Sequence, residues 1–394
     1  SSTMAFVRFL TLLIREKDLT HRIVPIVPDE ARTFGMEGLF RQMGIYSSSG
    51  QLYEPEDSET VMWYKEDIKG QVLQEGITEA GAISDWIAAA TSYATHNVTM
   101  IPFYIYYSKF GFQRVGDLAW AAGDMQAKGF LLGGTAGRTT LAGEGLQHQD
   151  GESLIAANTI PNCVTYDPTY AYELTVIILD GMRRMYKDME SVFYYITVMN
   201  ETYQQPEMPK GAEQGIIKGI YHLKTIGKHK NEVQLLGSGT ILREVELAAQ
   251  ILDDDWGVSS KVWSVTSFNE LTKEAQAVER ENRFMTKGKP KKPYISECLE
   301  GSKGPIIAAT DYIKNYAEQV RKYMPGRYEV LGTDGFGRSD SRAALREFFE
   351  VNANYIVVTS LRSLSEEGLI DKSQVTKALK KYKISNNKPN PLSV

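Results

Sequence analysis

The sequence predicts an α/β fold with two domains, a doubly wound parallel sheet and a smaller α/β carboxy-terminal domain. At 394 residues the chain is too long for one ordinary hydrophobic core, since a domain commonly has roughly 150 residues. Strand patterns alternate with amphipathic helix patterns, which favours a parallel sheet with helices on both faces. The clearest helix pattern follows Glu79, with apolar residues at Ile83, Trp86, Ile87 and Ala90.

The first domain is predicted to span residues 1–205. It opens with a helix at 6–14, a strand at 22–28 and a polar stretch at 46–69. Between Gly133 and Gly151 lies a Gly- and Thr-rich loop, of a length typical of functional or disordered segments. The further strands are predicted at 71–74, 100–107, 130–133, 163–166 and 192–198, and the helices at 78–95, 112–127, from 152, and at 170–185.

A stretch with few apolar residues around Pro206 and Pro209 predicts a linker, set at 206–228, before a second domain at 229–394. Its turn Gly237-Ser-Gly-Thr240 is weak evidence for a nucleotide site, because the third glycine and the acidic residue roughly 20 positions on are missing. Strands are predicted at 232–236, 261–265, 305–309 and 328–331, and helices at 241–252, 312–323, 341–349 and 365–382.

Composition narrows the functional classes. The net charge of -5 and a pI near 5.7 disfavour nucleic-acid binding, and the Lys-rich run at 287–292 is typical of a solvated loop. No apolar run approaches the ~20 residues that cross a bilayer, so a membrane role is not expected. Only Cys163 and Cys298 occur, without spacing for zinc or a disulfide framework, which fits a reducing cytoplasm.

Glu79 stands at the start of its predicted helix, after a short strand and a turn opened by Gly76. In an open α/β sheet, ligands bind at the carboxyl ends of the strands, where this turn lies. The local pattern leaves two interpretations open. Glu79 is either a ligand-facing carboxylate or an ordinary acidic residue in the first turn of a helix.

Five stretches carry a specific signature, and they include Gln74-Glu-Gly-Ile-Thr-Glu79 and Gly143-Glu-Gly-Leu-Gln-His-Gln-Asp-Gly151. The other three are residues 28–41, 103–114 and 330–341. With these motifs the chain resembles, over essentially all its length, the homodimeric bacterial pyruvate dehydrogenases. These are the thiamine-diphosphate-dependent first components of the pyruvate dehydrogenase complex.

The resemblance implies two transketolase-like domains, of which the first holds the aminopyrimidine of thiamine diphosphate. It also implies a cytoplasmic homodimer that acts on pyruvate and acetylates the lipoyl domain of a dihydrolipoyl acetyltransferase. The family's ligands for diphosphate and Mg lie in an amino-terminal Gly-Asp-Gly motif that is absent here. Since the chain also begins Ser-Ser-Thr-Met, we expect a carboxy-terminal fragment that is inactive alone.

The resemblance further implies which residues form the pyrimidine pocket. Glu79 takes the place of a glutamate that hydrogen-bonds the pyrimidine ring nitrogen and promotes the imino tautomer. Tyr107, Phe110 and Ile77 take the places of pocket residues. Aromatic residues such as Tyr107 and Phe110 are, without the resemblance, expected in the core.

Three more candidates for catalysis follow from the same resemblance. His148 matches an active-site histidine, and a histidine can bind a carboxylate or move a proton near neutral pH. Its flanks depart from the family, with Gln149 in place of an acid and Glu152 in place of histidine. Asp29 and Glu30 match residues near the cofactor. The alternatives are a solvated loop histidine for His148 and a helix cap for Asp29.

Two other functions stay open. The first is another thiamine-diphosphate enzyme, such as a transketolase or a dehydrogenase for a different 2-oxo acid, against which the motifs at 28–35 and 147–150 argue. The second is a noncatalytic module for dimerisation and assembly.

Overall fold

The computed structural model describes residues 1–28, 31–56 and 64–394, whose contacts form two compact units. The segments 137–155 and 166–176 lie within the first predicted domain but group with the second unit. The domain boundaries set from the sequence therefore stay predictions. The first unit comprises Ser1–Ala136, Ala156–Thr165 and Ile177–Gln204, and the second comprises Gly137–Ile155, Tyr166–Val176 and Gln205–Val394.

The first unit is built on a six-stranded sheet. Its strands are β1 (Ile23–Val27), β4 (Leu73–Gln74), β5 (Ile101–Tyr107), β6 (Phe130–Gly134), β7 (Cys163–Tyr166) and β8 (Phe193–Thr197), while β2 (Ile45–Tyr46) and β3 (Glu66–Asp67) form a separate parallel pair. The order is β4-β1-β5-β6-β8-β7. Pairing is parallel between β1 and β4, β1 and β5, β5 and β6, and β6 and β8. The parallel sheet expected from the alternating pattern is confirmed.

The helices of the amino-terminal half match the sequence prediction closely. The predicted helix at 78–95 begins at Glu79, with Thr78 as its cap, and one helix at 37–43 was not predicted. The helices of this half are α1 (Ser2–Leu13), α2 (Glu37–Met43), α3 (Glu79–Thr95), α4 (Gly111–Asp124), α5 (Ser153–Asn158) and α6 (Ala171–Met182). A π-helical turn at Arg183–Lys187 continues α6.

Aromatic packing fixes α3 against the sheet. Trp86 of α3 is fully buried and its indole N–H donates to the Phe130 carbonyl at 3.1 Å. The rings of Phe103 on β5 and Phe130 on β6 stack at 4.8 Å. Burying such a side chain contributes about 1.5–3 kcal/mol, so the orientation of α3, and of Glu79 at its start, is set by the core.

The second unit has a mixed five-stranded sheet. Its strands are β9 (Ile220–Ile226), β10 (Asn231–Gly237), β11 (Val258–Val265), β12 (Ile306–Ala309) and β13 (Tyr328–Leu331), in the order β13-β12-β10-β11-β9. The pairs β13–β12, β12–β10 and β10–β11 are parallel, and β9 runs antiparallel to β11. Strand β9 was not predicted, and it lies in the range 206–228 that was interpreted as a linker.

The helices of the second unit differ more from the prediction. The helices at 268–284 and 353–366 were missed, and the helix predicted at 312–323 is only one α-turn and one 3-10 turn. The helices of the second unit are α7 (Glu213–Lys218), α8 (Leu242–Trp256), α9 (Phe268–Phe284), α10 (Tyr294–Cys298), α11 (Asn315–Glu318), α12 (Arg342–Phe348), α13 (Ala353–Glu366) and α14 (Lys372–Lys381). None of the helices in the described ranges is long and apolar enough to cross a membrane.

Candidate active site

The carboxyl edge of the first sheet gathers several of the predicted residues. Because the strands are parallel, the segments that follow them emerge on one edge. Glu79 comes five residues after β4, and Tyr107 ends β5. Asp29 and Glu30 follow β1 closely in sequence but lie outside the described residues, so their roles stay predictions.

Glu79 is the first residue of α3. The hydroxyl of Thr78 accepts a hydrogen bond from the Gly81 N–H at 3.3 Å and caps the helix. The Glu79 side chain is 16% exposed. A carboxylate in this first turn is favoured by the partial positive charge of the helix amino terminus. The Glu79 carboxylate is therefore largely shielded from water, unlike that of an ordinary acidic residue on a helix surface.

Arg114 on α4 joins two of the predicted residues, and the sequence interpretation gave it no role. Its Nη1 lies 2.7 Å from Glu79 Oε1, and its guanidinium carbon lies 4.1 Å from the centre of the Phe110 ring. Phe110 in turn meets Tyr107 edge to face at 6.0 Å. The position of Arg114 in the same motif, one helical turn after Phe110, was the signal that could have identified it.

Ile77 lies two residues before Glu79, and its side chain is 70% exposed. Large exposed apolar side chains are common singly, so exposure alone does not define a pocket wall. Tyr107 is half-buried and packs against Phe34 with a centroid distance of 5.3 Å. The pocket roles of Ile77 and Tyr107 stay predictions.

Three buried hydroxyl groups at or near this edge lack a hydrogen-bond partner among the described residues. They belong to Tyr104 on β5, Ser108 after β5 and Thr135 after β6. Burial, and then the charge of Glu79, raises the pKa of Tyr104 far above its ordinary value. An unsatisfied buried polar group costs about 1–3 kcal/mol. These hydroxyls therefore favour a polar ligand or ordered water at the edge.

A cavity of about 510 Å³ lies elsewhere in the first unit. It is lined at the amino ends of β1 and β5 by Ile23 and Met100, and also by His21, His96 and Asp85. Burial, followed by hydrogen bonding to Glu75 and the charge of Glu75, raises the pKa of Asp85 to about 6. Because the cavity reaches the opposite ends of the strands, it is separate from the edge that carries Glu79.

The long Gly- and Thr-rich loop is anchored within the second unit from Gly137 onward. Buried Arg138 donates from Nη1 to the carbonyls of Thr333, at 2.7 Å, and Gly335. The Asp311 carboxylate accepts from the Thr139 N–H at 3.1 Å and from its hydroxyl at 2.7 Å. Gly137 has φ +86°, and a Cβ there would lie 2.1 Å from Asp311 Oδ2, so this close approach requires glycine.

His148 ends a 3-10 turn in this loop, Leu146–His148, and is half-buried. Its N–H donates to the Gly145 carbonyl at 3.0 Å. The neighbouring Gln149 is buried, and its side-chain amide bonds the backbone of Arg338 at both the carbonyl and the N–H, the latter at 2.7 Å. The histidine thus sits in a segment with a defined backbone.

The family described as "Pyruvate dehydrogenase E1 component middle domain" matches residues 1–206, and "Transketolase-like TK C-terminal domain" matches residues 219–352. The chain belongs to the pyruvate dehydrogenase E1 component family. The resemblance stated from the motifs is confirmed.

The relatives within the pyruvate dehydrogenase E1 family are much longer than this chain. The pyruvate dehydrogenase E1 component of Pseudomonas aeruginosa is 64% identical over 394 residues, covering 100% of this chain and 45% of that protein. The Escherichia coli E1 component is 60% identical, covering 99% and 44%. The chain therefore spans somewhat less than half the length of these curated relatives.

Solved structures agree on the fold. Transketolase from Campylobacter jejuni superposes with a TM-score of 0.67 at 17% identity, covering 92% of this chain and 46% of that chain. At this low identity the structural match supports the fold and not the function. The expected transketolase-like α/β architecture of this E1 family member is confirmed.

In this E1 family member, the space next to the turn Gly237-Ser-Gly-Thr240 is occupied by the side chain of Asp167. Gly239 has φ +49°, and its N–H donates to the Asp167 carbonyl at 3.2 Å. A Cβ on Gly239 would lie 2.6 Å from Asp167 Oδ2. A carboxylate thus stands where a nucleotide phosphate would have to approach, which argues against a nucleotide site.

Metal ligation was expected outside this chain. Among the residues that the structure describes, no group of three or more His, Cys, Asp or Glu side chains could hold a metal ion. The placement of Mg ligands in a missing domain stays a prediction, because the finding covers only the described ranges.

Proposed function

We propose that the full-length protein containing this chain is a pyruvate dehydrogenase. It decarboxylates pyruvate oxidatively with thiamine diphosphate and transfers the acetyl group to a lipoyl group of the dihydrolipoyl acetyltransferase component. The observation that carries the proposal is the shielded Glu79 carboxylate at the carboxyl edge of the first sheet, in a chain that belongs to the E1 component family.

The residues at this edge suit the aminopyrimidine of the cofactor. A shielded carboxylate, an aromatic ring at Phe110 and the unsatisfied hydroxyl of Tyr104 offer one ionic, one stacking and one hydrogen-bonding contact. When bound, thiamine diphosphate supplies the electron sink that cleavage next to the ketone of a 2-oxo acid requires. The protein supplies orientation and proton control.

Glu79 provides the proton control in this proposal. Its carboxylate shares a proton with a ring nitrogen of the pyrimidine, which demands a fixed position within hydrogen-bond distance. The ion pair with Arg114 at 2.7 Å supplies that fixation, and the Thr78 cap fixes the backbone. The side chains of Phe110 and Tyr107 would orient the pyrimidine ring, and Ile77 would form a further wall of its pocket.

His148 acts on the substrate side of the reaction. A histidine near neutral pH can bind the pyruvate carboxylate or move a proton during acetyl transfer to the lipoyl group. Asp29 and Glu30 are proposed as further acid and base groups near the cofactor. The anchored backbone around His148 supports a defined location for its ring.

The assembly belongs to the same proposal. The enzyme is a cytoplasmic homodimer, and Mg and diphosphate are held by a domain outside this chain. The chain spans 45% of the Pseudomonas aeruginosa relative, which leaves room for such a domain. The 394-residue chain alone is therefore expected to lack activity and to bind thiamine diphosphate poorly, which calorimetry with and without Mg can test.

The test uses the full-length protein and its Glu79→Ala and Glu79→Gln variants. Both should lose the circular-dichroism signal of the imino tautomer and most pyruvate turnover, because neither side chain can share the proton. An Asp117→Asn variant, exposed on α4, serves as the control. Retention of signal and turnover in Glu79→Ala would remove Glu79 from the mechanism, and turnover of transketolase donors instead of pyruvate would refute the proposed reaction.

A further inference from the structure

We propose that Gln149 is a positioning residue, which sets the location of His148 by clamping the loop to the backbone of Arg338. The clamp itself depends only on contacts within the second unit. Its consequence for catalysis rests on the proposed function of His148.

The clamp is a two-bond contact between a side-chain amide and the backbone of a single residue. Gln149 Nε2 donates to the Arg338 carbonyl, and Gln149 Oε1 accepts from the Arg338 N–H at 2.7 Å. Gln149 is 1% exposed. Water therefore competes little for these bonds, and losing either one leaves a buried polar group unpaired.

The clamp lies next to His148 in the chain. The Gln149 N–H donates to the Leu146 carbonyl at 3.2 Å, and the His148 N–H donates to Gly145 at 3.0 Å, so the turn is closed on both sides of the imidazole. Fixing Gln149 thus fixes the backbone from which the His148 side chain projects. A shift of about 1 Å at a catalytic group can cost on the order of a hundredfold in rate.

Other contacts tie the same loop to the segment 333–342, but they act farther from His148. The Gly143 N–H donates to the Asp340 carbonyl at 3.0 Å, and Arg342 Nε donates to the Thr140 carbonyl at 2.5 Å. The loop will therefore keep its general course without Gln149. The loss should be local, at residues 145–150.

The chemistry of the clamp explains why an amide suits this place. Gln offers one donor and one acceptor, which match the carbonyl and the N–H of Arg338. An ionised Glu side chain can only accept hydrogen bonds. One of its negative oxygens would therefore lie against the Arg338 carbonyl oxygen, which is also negative, and the two would repel each other. A protonated Glu again offers one donor and one acceptor. A Gln149→Glu variant should therefore keep the clamp at low pH and lose it as the pH rises.

The experiment compares hydrogen exchange at the Arg338 amide and in residues 145–150 of the full-length protein. In Gln149→Leu we expect at least roughly tenfold faster exchange at every pH, after correction for the intrinsic rate. In Gln149→Glu we expect exchange close to that of the wild type at pH 5 and close to that of Gln149→Leu at pH 8. Arg338→Ala is the matched control, because it keeps the backbone groups that Gln149 binds and should exchange as the wild type does.

Kinetics then test positioning. Gln149→Leu should lower kcat for acetyl transfer by roughly tenfold or more, with the Glu79-dependent cofactor signal unchanged, and Gln149→Glu should recover activity as the pH falls. Unchanged exchange in Gln149→Leu, or equal acceleration in Arg338→Ala, would overturn the clamp. Faster exchange with unchanged acetyl transfer would overturn the positioning role. Failure of the proposed function would appear differently, as a wild-type protein without pyruvate turnover.

Discussion

The guanidinium of Arg114 on α4 lies 2.7 Å from the carboxylate of Glu79 on α3, and it also covers the ring of Phe110 at 4.1 Å. One cation thus joins two residues that are 31 positions apart in the chain, 79 and 110, at the carboxyl edge of one sheet. The Glu79 side chain is 16% exposed and that of Arg114 is 49% exposed, so solvent screens the pair in part. Arg114 therefore orients the proposed acid.

Arg114→Met should reduce kcat/KM for pyruvate in the full-length protein by up to roughly tenfold. Methionine keeps much of the packing on Phe110 but removes an ion pair whose cation is half exposed, so the loss is at the lower end for a charge-assisted hydrogen bond, about 1 kcal/mol. Steady-state kinetics and the circular dichroism of the bound cofactor measure the effect. Arg362→Met removes an exposed i,i+4 pair with Glu366 and should change neither. An unaltered kcat/KM in Arg114→Met would show that Glu79 needs no such partner.

The Glu75–Asp85 pair should make the stability of the first unit depend on pH. Burial and Glu75 raise the pKa of Asp85 to about 6, above its ordinary value of 3.8. A raised carboxyl pKa contributes stability below the ordinary pKa, and this contribution is lost as the pH rises through about 6. Asp85→Asn should therefore flatten the decline between about pH 4 and pH 7 and raise the unfolding midpoint at pH 8.

Thermal unfolding at several pH values measures this dependence. The control is Asp117→Asn, which changes an exposed aspartate on α4 and should leave the pH profile as in the wild type. An Asp85→Asn profile that declines as steeply as the wild type would contradict the assignment of the titration to Asp85.

Glu173 should be essential for the stability of the second unit. It is fully buried, and its oxygens accept from the N–H groups of Thr169 (2.6 Å) and Tyr170 (2.9 Å) and from the hydroxyls of Tyr221 (2.7 Å) and Ser264 (2.6 Å). Burial raises the pKa of Glu173, and these four donors oppose the rise. The Glu173 carboxylate thus connects the backbone before α6 to side chains on strands β9 and β11 by hydrogen bonds.

Glu173→Ala is expected to lower the free energy of unfolding by about 3 kcal/mol or more, since it leaves four buried donors without their acceptor. Glu173→Gln should cost less, because the hydroxyls of Tyr221 and Ser264 can turn and accept from the amide. Urea unfolding gives both values, with the exposed Glu281→Ala as control. Equal losses in the two variants would argue that volume, and not hydrogen bonding, is what matters at this position.

Arg346 on α12 should also be essential for the stability of the second unit. It is 7% exposed, and its guanidinium contacts Glu244 at 3.3 Å, Thr139 at 3.3 Å and Thr240 at 3.4 Å. Arg346→Met should cost about 3 kcal/mol in urea unfolding, because it leaves a shielded carboxylate without its cation. Arg346→Lys should recover part of this loss. A Met variant as stable as the wild type would mean that Glu244 is satisfied by the Ala353 N–H alone.

Much of the first unit was predictable because its signals are local. The pattern after Glu79 predicted α3, and the strands β5, β6 and β7 agree within one residue at each end. Helix α9 was missed, although Ser267 and Glu270 carried a cap signal, with the Ser267 hydroxyl accepting from the Glu270 N–H at 3.0 Å. Its sequence is highly polar, so the apolar pattern on which the helix predictions relied was weak there.

Strand β9 shows what a local pattern cannot predict. Its burial is uneven, because it is an edge strand that, within the described ranges, pairs with β11 on one side. Such a strand gains its backbone hydrogen bonds from a partner about forty residues away, and its own residues say little about that pairing. The range 206–228 therefore resembled a linker in the sequence.

The sequence by itself determined the family, the α/β alternation and the position of Glu79 at the head of a helix, since motifs and helix periodicity are properties of neighbouring residues. Only the tertiary structure decided that Arg114 pairs with Glu79 and that Gln149 holds the backbone of Arg338, 189 residues away. Both contacts depend on how separate elements pack, through distances between side chains that the spacing of residues along the chain does not set.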